Sequence, residues 1–106
     1  MVHQCLMQVV VTSDKHKYNN SDEATIVVRA NDHIGPIEGV DVRVMVTTSN
    51  GFKQVGVSIT RSDGKGTIPY EVNLDRGGAG IYVVDATAWR TGFDVGQGST
   101  SFEVVN

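Results

Sequence analysis

Apolar and polar residues alternate along this chain in short runs. The runs recur about every ten residues with turn formers between them, the spacing of a β-sandwich or barrel. The clearest reads Val40-Asp41-Val42-Arg43-Val44-Met45-Val46-Thr47. Its four valines fall at a period of two, so one face is buried and the other is not. Val55-Gly56-Val57-Ser58-Ile59-Thr60 alternates again, and Thr67 to Leu74 sets Ile68, Tyr70, Val72 and Leu74 on one face. Pro69 falls on the opposite face and, lacking an N–H, suits an edge strand or a bulge. In all, strands are predicted near residues 8–12, 24–30, 40–48, 55–60, 67–74, 80–89 and 100–105.

The segments between them carry turn chemistry. Asn50-Gly51 suits a tight turn with positive φ, and Asp63-Gly64-Lys65-Gly66 and Arg76-Gly77-Gly78-Ala79-Gly80 make the next reversals. The stretch from Ser13 to Glu23 is polar and reads as a connection. Seven strands without an amphipathic helix predict an all-β, seven-stranded antiparallel sandwich, one domain over residues 1–106.

Composition agrees with that reading. Leucine occurs only at Leu6 and Leu74 while valine, threonine and glycine dominate, and β-branched side chains pack well on a pleated sheet. The net charge of −3 is mild and scattered, with no basic stripe for phosphates, so nucleic acid is not an expected partner. No apolar run approaches the ~20 residues of a membrane span. Met1 to Val11 lacks the basic start and long apolar centre of a signal peptide. If the protein is exported, the signal is expected outside this sequence. A lone Cys5 excludes an internal disulfide.

Two stretches resemble the bacterial immunoglobulin-like domains of intimin- and invasin-type adhesins and other secreted multidomain proteins. Ile26-Val27-Val28-Arg29-Ala30-Asn31-Asp32 leads through Pro36 and Gly39-Val40 into the valine strand. Ser62-Asp63-Gly64-Lys65-Gly66-Thr67 is followed by Gly80-Ile81-Tyr82-Val83-Val84-Asp85-Ala86-Thr87-Ala88. The resemblance spans residues 20 to 105 and implies an extracellular or cell-surface spacer or adhesion module beside neighbouring domains of the same polypeptide. It also implies a tyrosine corner, with the Tyr82 hydroxyl bonded back to the preceding turn. Val84 and either Val28 or Ile26 then stand near the places of the antibody cysteines, so the core rests on packing alone.

Candidate sites follow from the faces. With Tyr82, Val84, Ala86 and Ala88 inward, Met45, Ile81, Val83 and Val105 form an outward apolar strip, with Arg43 near Asp85 or Glu103. Such a strip is either a contact surface for a neighbouring domain or protein partner, or a face screened by long polar side chains. Trp89 and Phe93 flank Gly92 in a turn. There they either stack on sugar rings, with Arg90, Asp94 and Gln97 as polar neighbours, or cap the core.

Asp14, Asn19, Asn20, Asp22 and Glu23, with Asn31 and Asp32, supply the hard oxygens calcium requires, although Asn and Asp are also ordinary turn residues. His3, Cys5, His16 and His33 lack zinc-like spacing, and Met1-Val2-His3 would chelate copper only at a native terminus. Lys15 or Lys17 could donate to an internal Lys–Asn crosslink, but no acceptor stands out. Neither a nucleophile elbow nor a metalloprotease helix occurs, so no enzyme activity is expected. The function expected is a non-catalytic spacer or adhesion module, the alternative a carbohydrate-binding accessory module using Trp89 and Phe93.

Overall fold

The valine-rich runs form strands because their alternating side chains find an inner face shared by two sheets. The computed structural model describes residues 6–106; Met1, His3 and Cys5 lie outside the described residues. Along the chain come β1 (Gln8–Ser13), β2 (Lys17–Tyr18), β3 (Glu23–Asn31), β4 (Asp41–Thr47), β5 (Lys53–Ile59) and β6 (Lys65–Glu71). A one-turn helix α1 (Leu74–Gly77), β7 (Gly80–Trp89) and β8 (Gly96–Val104) complete it. One sheet has the order β1-β3-β6 and the other β2-β8-β7-β4-β5.

The core lies between them. Val42, Val44 and Val46 of β4 and Tyr82, Val84, Ala86 and Ala88 of β7 are buried against Ile26, Val28 and Ala30 of β3 and Ile68 and Tyr70 of β6. Ile26, Val28 and Val84 are wholly buried at its centre.

Two expectations are corrected. Among the described residues eight strands replace seven, because the polar stretch hides β2, which pairs in parallel with β8 through Lys17–Glu103 and Tyr18–Val104 and makes the larger sheet mixed. Tyr18 is buried, its ring edge-on to Phe102 at 4.9 Å. A lone aromatic among polar residues carries no periodicity, so the pattern could not place it. Second, Leu74 ends no strand: Asn73 accepts from the Arg76 N–H at 3.2 Å and caps α1. The alternation of β5 left its facing open, and the structure turns Gly56 and Ser58 inward and its apolar residues outward.

The facing of β5 follows from how the sheets meet at their edges. A Cβ on Gly56 would stand 2.8 Å from Cγ2 of Ile68, and one on Gly66 3.3 Å from the Ser58 hydroxyl. At the opposite edge a Cβ on Gly98 would stand 2.8 Å from the Val9 carbonyl. Small residues therefore line both edges where the sheets close on each other, and larger inward side chains would hold them apart.

One end of the sandwich gathers the 31–40 and 60–64 loops, the 90–95 turn and the start of β1. There the Ala30 N–H donates to the Gly64 carbonyl at 2.9 Å and the Gly39 N–H to the Thr60 carbonyl at 2.9 Å. Gly64 has φ 76, and a Cβ on it would meet the Ala30 carbonyl and Pro36 at 2.8 Å, so glycine alone suits this position. The Pro36 and Asp63-Gly64 motifs, far apart in sequence, thus interlock. The other end gathers the 48–52 and 72–80 turns, β2 and the last residues of β8.

Candidate functional site

The outer face of the larger sheet is the candidate surface, and strand register decides which side chains share it. β4 and β7 pair with Met45 opposite Asp85 and Thr47 opposite Val83, and β7 and β8 with Ile81 opposite Glu103. Ile81 and Val83 are 56 % and 41 % exposed, while Met45 and Val105 are half-buried. All four project from this face, Met45 diagonal to Val83. Val105 lies just past β8, where its N–H donates to the Tyr18 carbonyl at 2.9 Å.

Of the two acidic neighbours expected for Arg43, Asp85 lies beside it and Glu103 does not. Glu103 pairs with Lys17 of β2 at 3.9 Å rather than with Arg43. Arg43 stands opposite Thr87 and diagonal to Asp85; with Met45 these residues line a shallow hollow of about 60 Å³. Register rather than charge sets this arrangement, because cross-strand neighbours must lie directly or diagonally opposite.

The strip is wider than the pattern indicated. Val55, Val57 and Ile59 of β5 are 47 %, 74 % and 56 % exposed, opposite Met45, Arg43 and Asp41 respectively. Trp89 stands on the far side of Asp41 and is also exposed, so Ile59, Asp41 and Trp89 form one row across the sheet. The signal for β5 was present in Gly56 and Ser58: two small residues on one face fill no core, and mark the side where another backbone approaches.

The two turn aromatics separate. Trp89 ends β7 on the outer face, whereas Phe93 is half-buried and packs against the core, with the Arg90 guanidinium 5.8 Å from its ring centroid. The turn therefore presents one open ring and one packed ring.

Asp14, Asn20, Asp22 and Asp32 of the loops accept from backbone N–H groups. A carboxylate oxygen of Asp14 accepts from the Tyr18 hydroxyl and from the Thr25 N–H, the latter at 2.9 Å. These two bonds, that from Tyr18 foremost, hold the Asp14 carboxyl below its ordinary range. Asp22 accepts from the Asn19 N–H at 2.7 Å, and Asn20 from the Leu74 N–H at 3.0 Å. Asp32 accepts from the N–H groups of Ile34 and Gly35, bonds that likewise lower its pKa. Among the described residues no three His, Cys, Asp or Glu side chains converge as a metal site would need. The hydroxyls of Ser13, Ser49 and Thr60 donate to backbone carbonyls and that of Thr48 to the Asn50 amide oxygen. These four therefore have no base poised to activate them. Lys15 and Lys17 are exposed.

Comparison with known proteins rests on the fold. No family model and no curated protein sequence matches the chain. Among solved structures, it is similar to a tetra-tandem repeat from the extending region of a large adhesion protein, at 16 % identity and a TM-score of 0.75. That match covers 93 % of this chain and 24 % of the other, so the chain spans about a quarter of the four-repeat segment it matches. A PKD domain of an M14-like peptidase from Thermoplasmatales archaeon SCGC AB-540-F20 matches end to end, with all of both chains covered, at 14 % identity and a TM-score of 0.61. A superoxide reductase (neelaredoxin) from Ignicoccus hospitalis matches at 8 % identity and 0.64, over 91 % of this chain and 80 % of that one. At such identities the likeness defines architecture alone: the chain is an immunoglobulin-like β-sandwich.

Proposed function

We propose that this chain is a non-catalytic spacer module of a larger exported protein, of the adhesin type, with no cofactor of its own. The observation that carries it is the path of the chain. β1 begins at the end holding the 90–95 turn, and β8 finishes at the opposite end beside Tyr18 and Gly80. A domain entered at one end and left at the other extends a polypeptide by its own length, here up to 53 Å along the long axis. The likeness to a repeat of an adhesion protein's extending region supports the same reading. Its mechanism is mechanical: pulling on opposite ends loads the β1–β3 and β7–β8 ladders, which hold the first and last strands, in shear, where many bonds must break together. Met45, Ile81, Val83 and Val105 then serve as a surface for a neighbouring domain of the same polypeptide or a protein partner.

An antibody raised against the chain tests the location when source cells are fractionated. Signal in the envelope or medium is expected, and signal confined to the cytosol overturns the proposal. A carbohydrate-binding accessory role keeps a foothold in the exposed Trp89, although the packing of Phe93 leaves it without a second stacking ring. Titration with a polysaccharide panel, followed by the fluorescence of this sole tryptophan, separates the two: a spacer gives no change.

A further inference from the structure

We infer that β5 is a self-pairing edge, through which two copies of this chain join antiparallel with Val55 of each opposite Val57 of the other. This is independent of the spacer reading. β5 closes one edge of the larger sheet. The Thr48 N–H donates to the Phe52 carbonyl and the Thr60 N–H to the Val40 carbonyl, so the even-numbered residues exchange hydrogen bonds with β4. Antiparallel ladders alternate, which turns the N–H and C=O groups of Lys53, Val55, Val57 and Ile59 away from β4. Among the described residues those groups have no backbone partner.

Natural edges are blunted by charge, proline, bulges, shortness or cover. The other edges here follow that rule. β2 has two residues, β6 carries Lys65, Pro69 and Glu71, and β1 lies hard against β8, where a Cβ on Gly98 would stand 2.8 Å from the Val9 carbonyl; β5 meets β6 less closely, a Cβ on Gly66 standing 3.6 Å from the Ile59 carbonyl. Between Lys53 and Arg61, β5 has neither charge nor proline, its register with β4 runs without a bulge, and it exposes three β-branched side chains. An edge of this composition resists unwanted pairing poorly and suits a defined mate.

Charge selects a second copy and its register. Of the two-fold registers that keep the outward backbone groups in step, three pair five or more residues of β5 with its mate. With Val57 opposite Val57, Lys53 would face Arg61 of the second copy. With Val55 opposite Val55, Lys53 would face the second copy's Val57, with Arg43 next in that row. With Val55 opposite Val57, Lys53 faces the second copy's Ile59, with Asp41 next. Only the last brings opposite charges together at both ends. It also merges Val55, Val57, Ile59 and Met45 of both copies into one apolar band, at the centre of a ten-stranded sheet formed from two five-stranded ones.

Sedimentation velocity from micromolar to millimolar chain tests this. The unaltered chain is expected to form dimer as concentration rises. Val57→Lys, at a well-exposed position, should weaken the dimer by at least about tenfold while leaving the circular dichroism spectrum unchanged; Val55→Lys repeats the test should that variant unfold. Lys53→Glu should also weaken it, and Lys53→Glu with Asp41→Lys should restore it. A chain that stays monomeric at millimolar concentration overturns the proposal, as does a dimer insensitive to the edge lysines in folded variants. A dimer that Lys53→Glu leaves unchanged overturns the register.

Discussion

The Tyr82 hydroxyl donates to the Gly78 carbonyl at 2.7 Å, tying the start of β7 to the turn before it. This is the tyrosine corner the Gly80-x-Tyr82 pattern implied. Gly77 makes room for it, since a Cβ there would collide with the same hydroxyl and with Thr48. Tyr82→Phe removes the bond and leaves the carbonyl short of its partner, so a loss of about 1–2 kcal/mol is expected in urea unfolding. Gly77→Ala should do at least as much damage through overpacking.

Thr60 is a buried polar residue with both functions of its hydroxyl in use. It donates to the Ile37 carbonyl at 2.7 Å and accepts from the Val40 N–H at 2.9 Å. Thr60→Val keeps the shape but strands both backbone groups, and should lower stability by about 2–3 kcal/mol. Thr60→Ser keeps the hydroxyl and should lose less. Equal losses for the two variants would contradict this role.

Asp14 and Tyr18 couple the first connection to pH. Asp14 has a lowered pKa in the folded chain, so its contribution is present above the ordinary carboxylate value near 3.8 and is lost as pH falls through the lower folded value. Tyr18 is raised, first by burial and then by its bond to Asp14. Its contribution is present below the ordinary phenol value of 10.0 and is lost as pH rises through the raised one. Thermal melts should show Asp14→Asn less stable than the parent at neutral pH, with the difference shrinking below about pH 4.

Chelation should leave the thermal midpoint unchanged. Of the loop side chains that suggested calcium, Asp14, Asn20, Asp22 and Asp32 accept from N–H groups, and Asp14 also from a tyrosine hydroxyl, bonds a folded chain needs without an ion. A midpoint that rises with added calcium and falls with EDTA would place a structural ion among Asp14, Asn19, Asn20 and Asp22 after all.

Most of the sandwich was legible. The inward faces of β4 and β7 match the alternation residue by residue, and Pro69 lies on an edge strand, as its missing N–H requires. The outward strip was legible for the same reason, since an inward Tyr82 and Val84 leave Ile81 and Val83 no other side. Arg43 could not be paired from the pattern, because whether it meets Asp85 or Glu103 depends on the offset between strands.

Taken alone, the order of residues determined which side chains travel together. A period of two assigns them to common faces, and the glycine and proline motifs mark where the chain reverses. Which face of a strand turns inward is a matter of its neighbours. The valines of β4 entered the core because the opposing sheet leaves room for them; those of β5 were left outside because the sheets close there on Gly56, Ser58 and Gly66. Tyr18 joined the core only once β8 supplied a strand to pair with and Phe102 a ring to pack on. Local pattern is short-ranged, whereas burial depends on what the rest of the chain brings alongside.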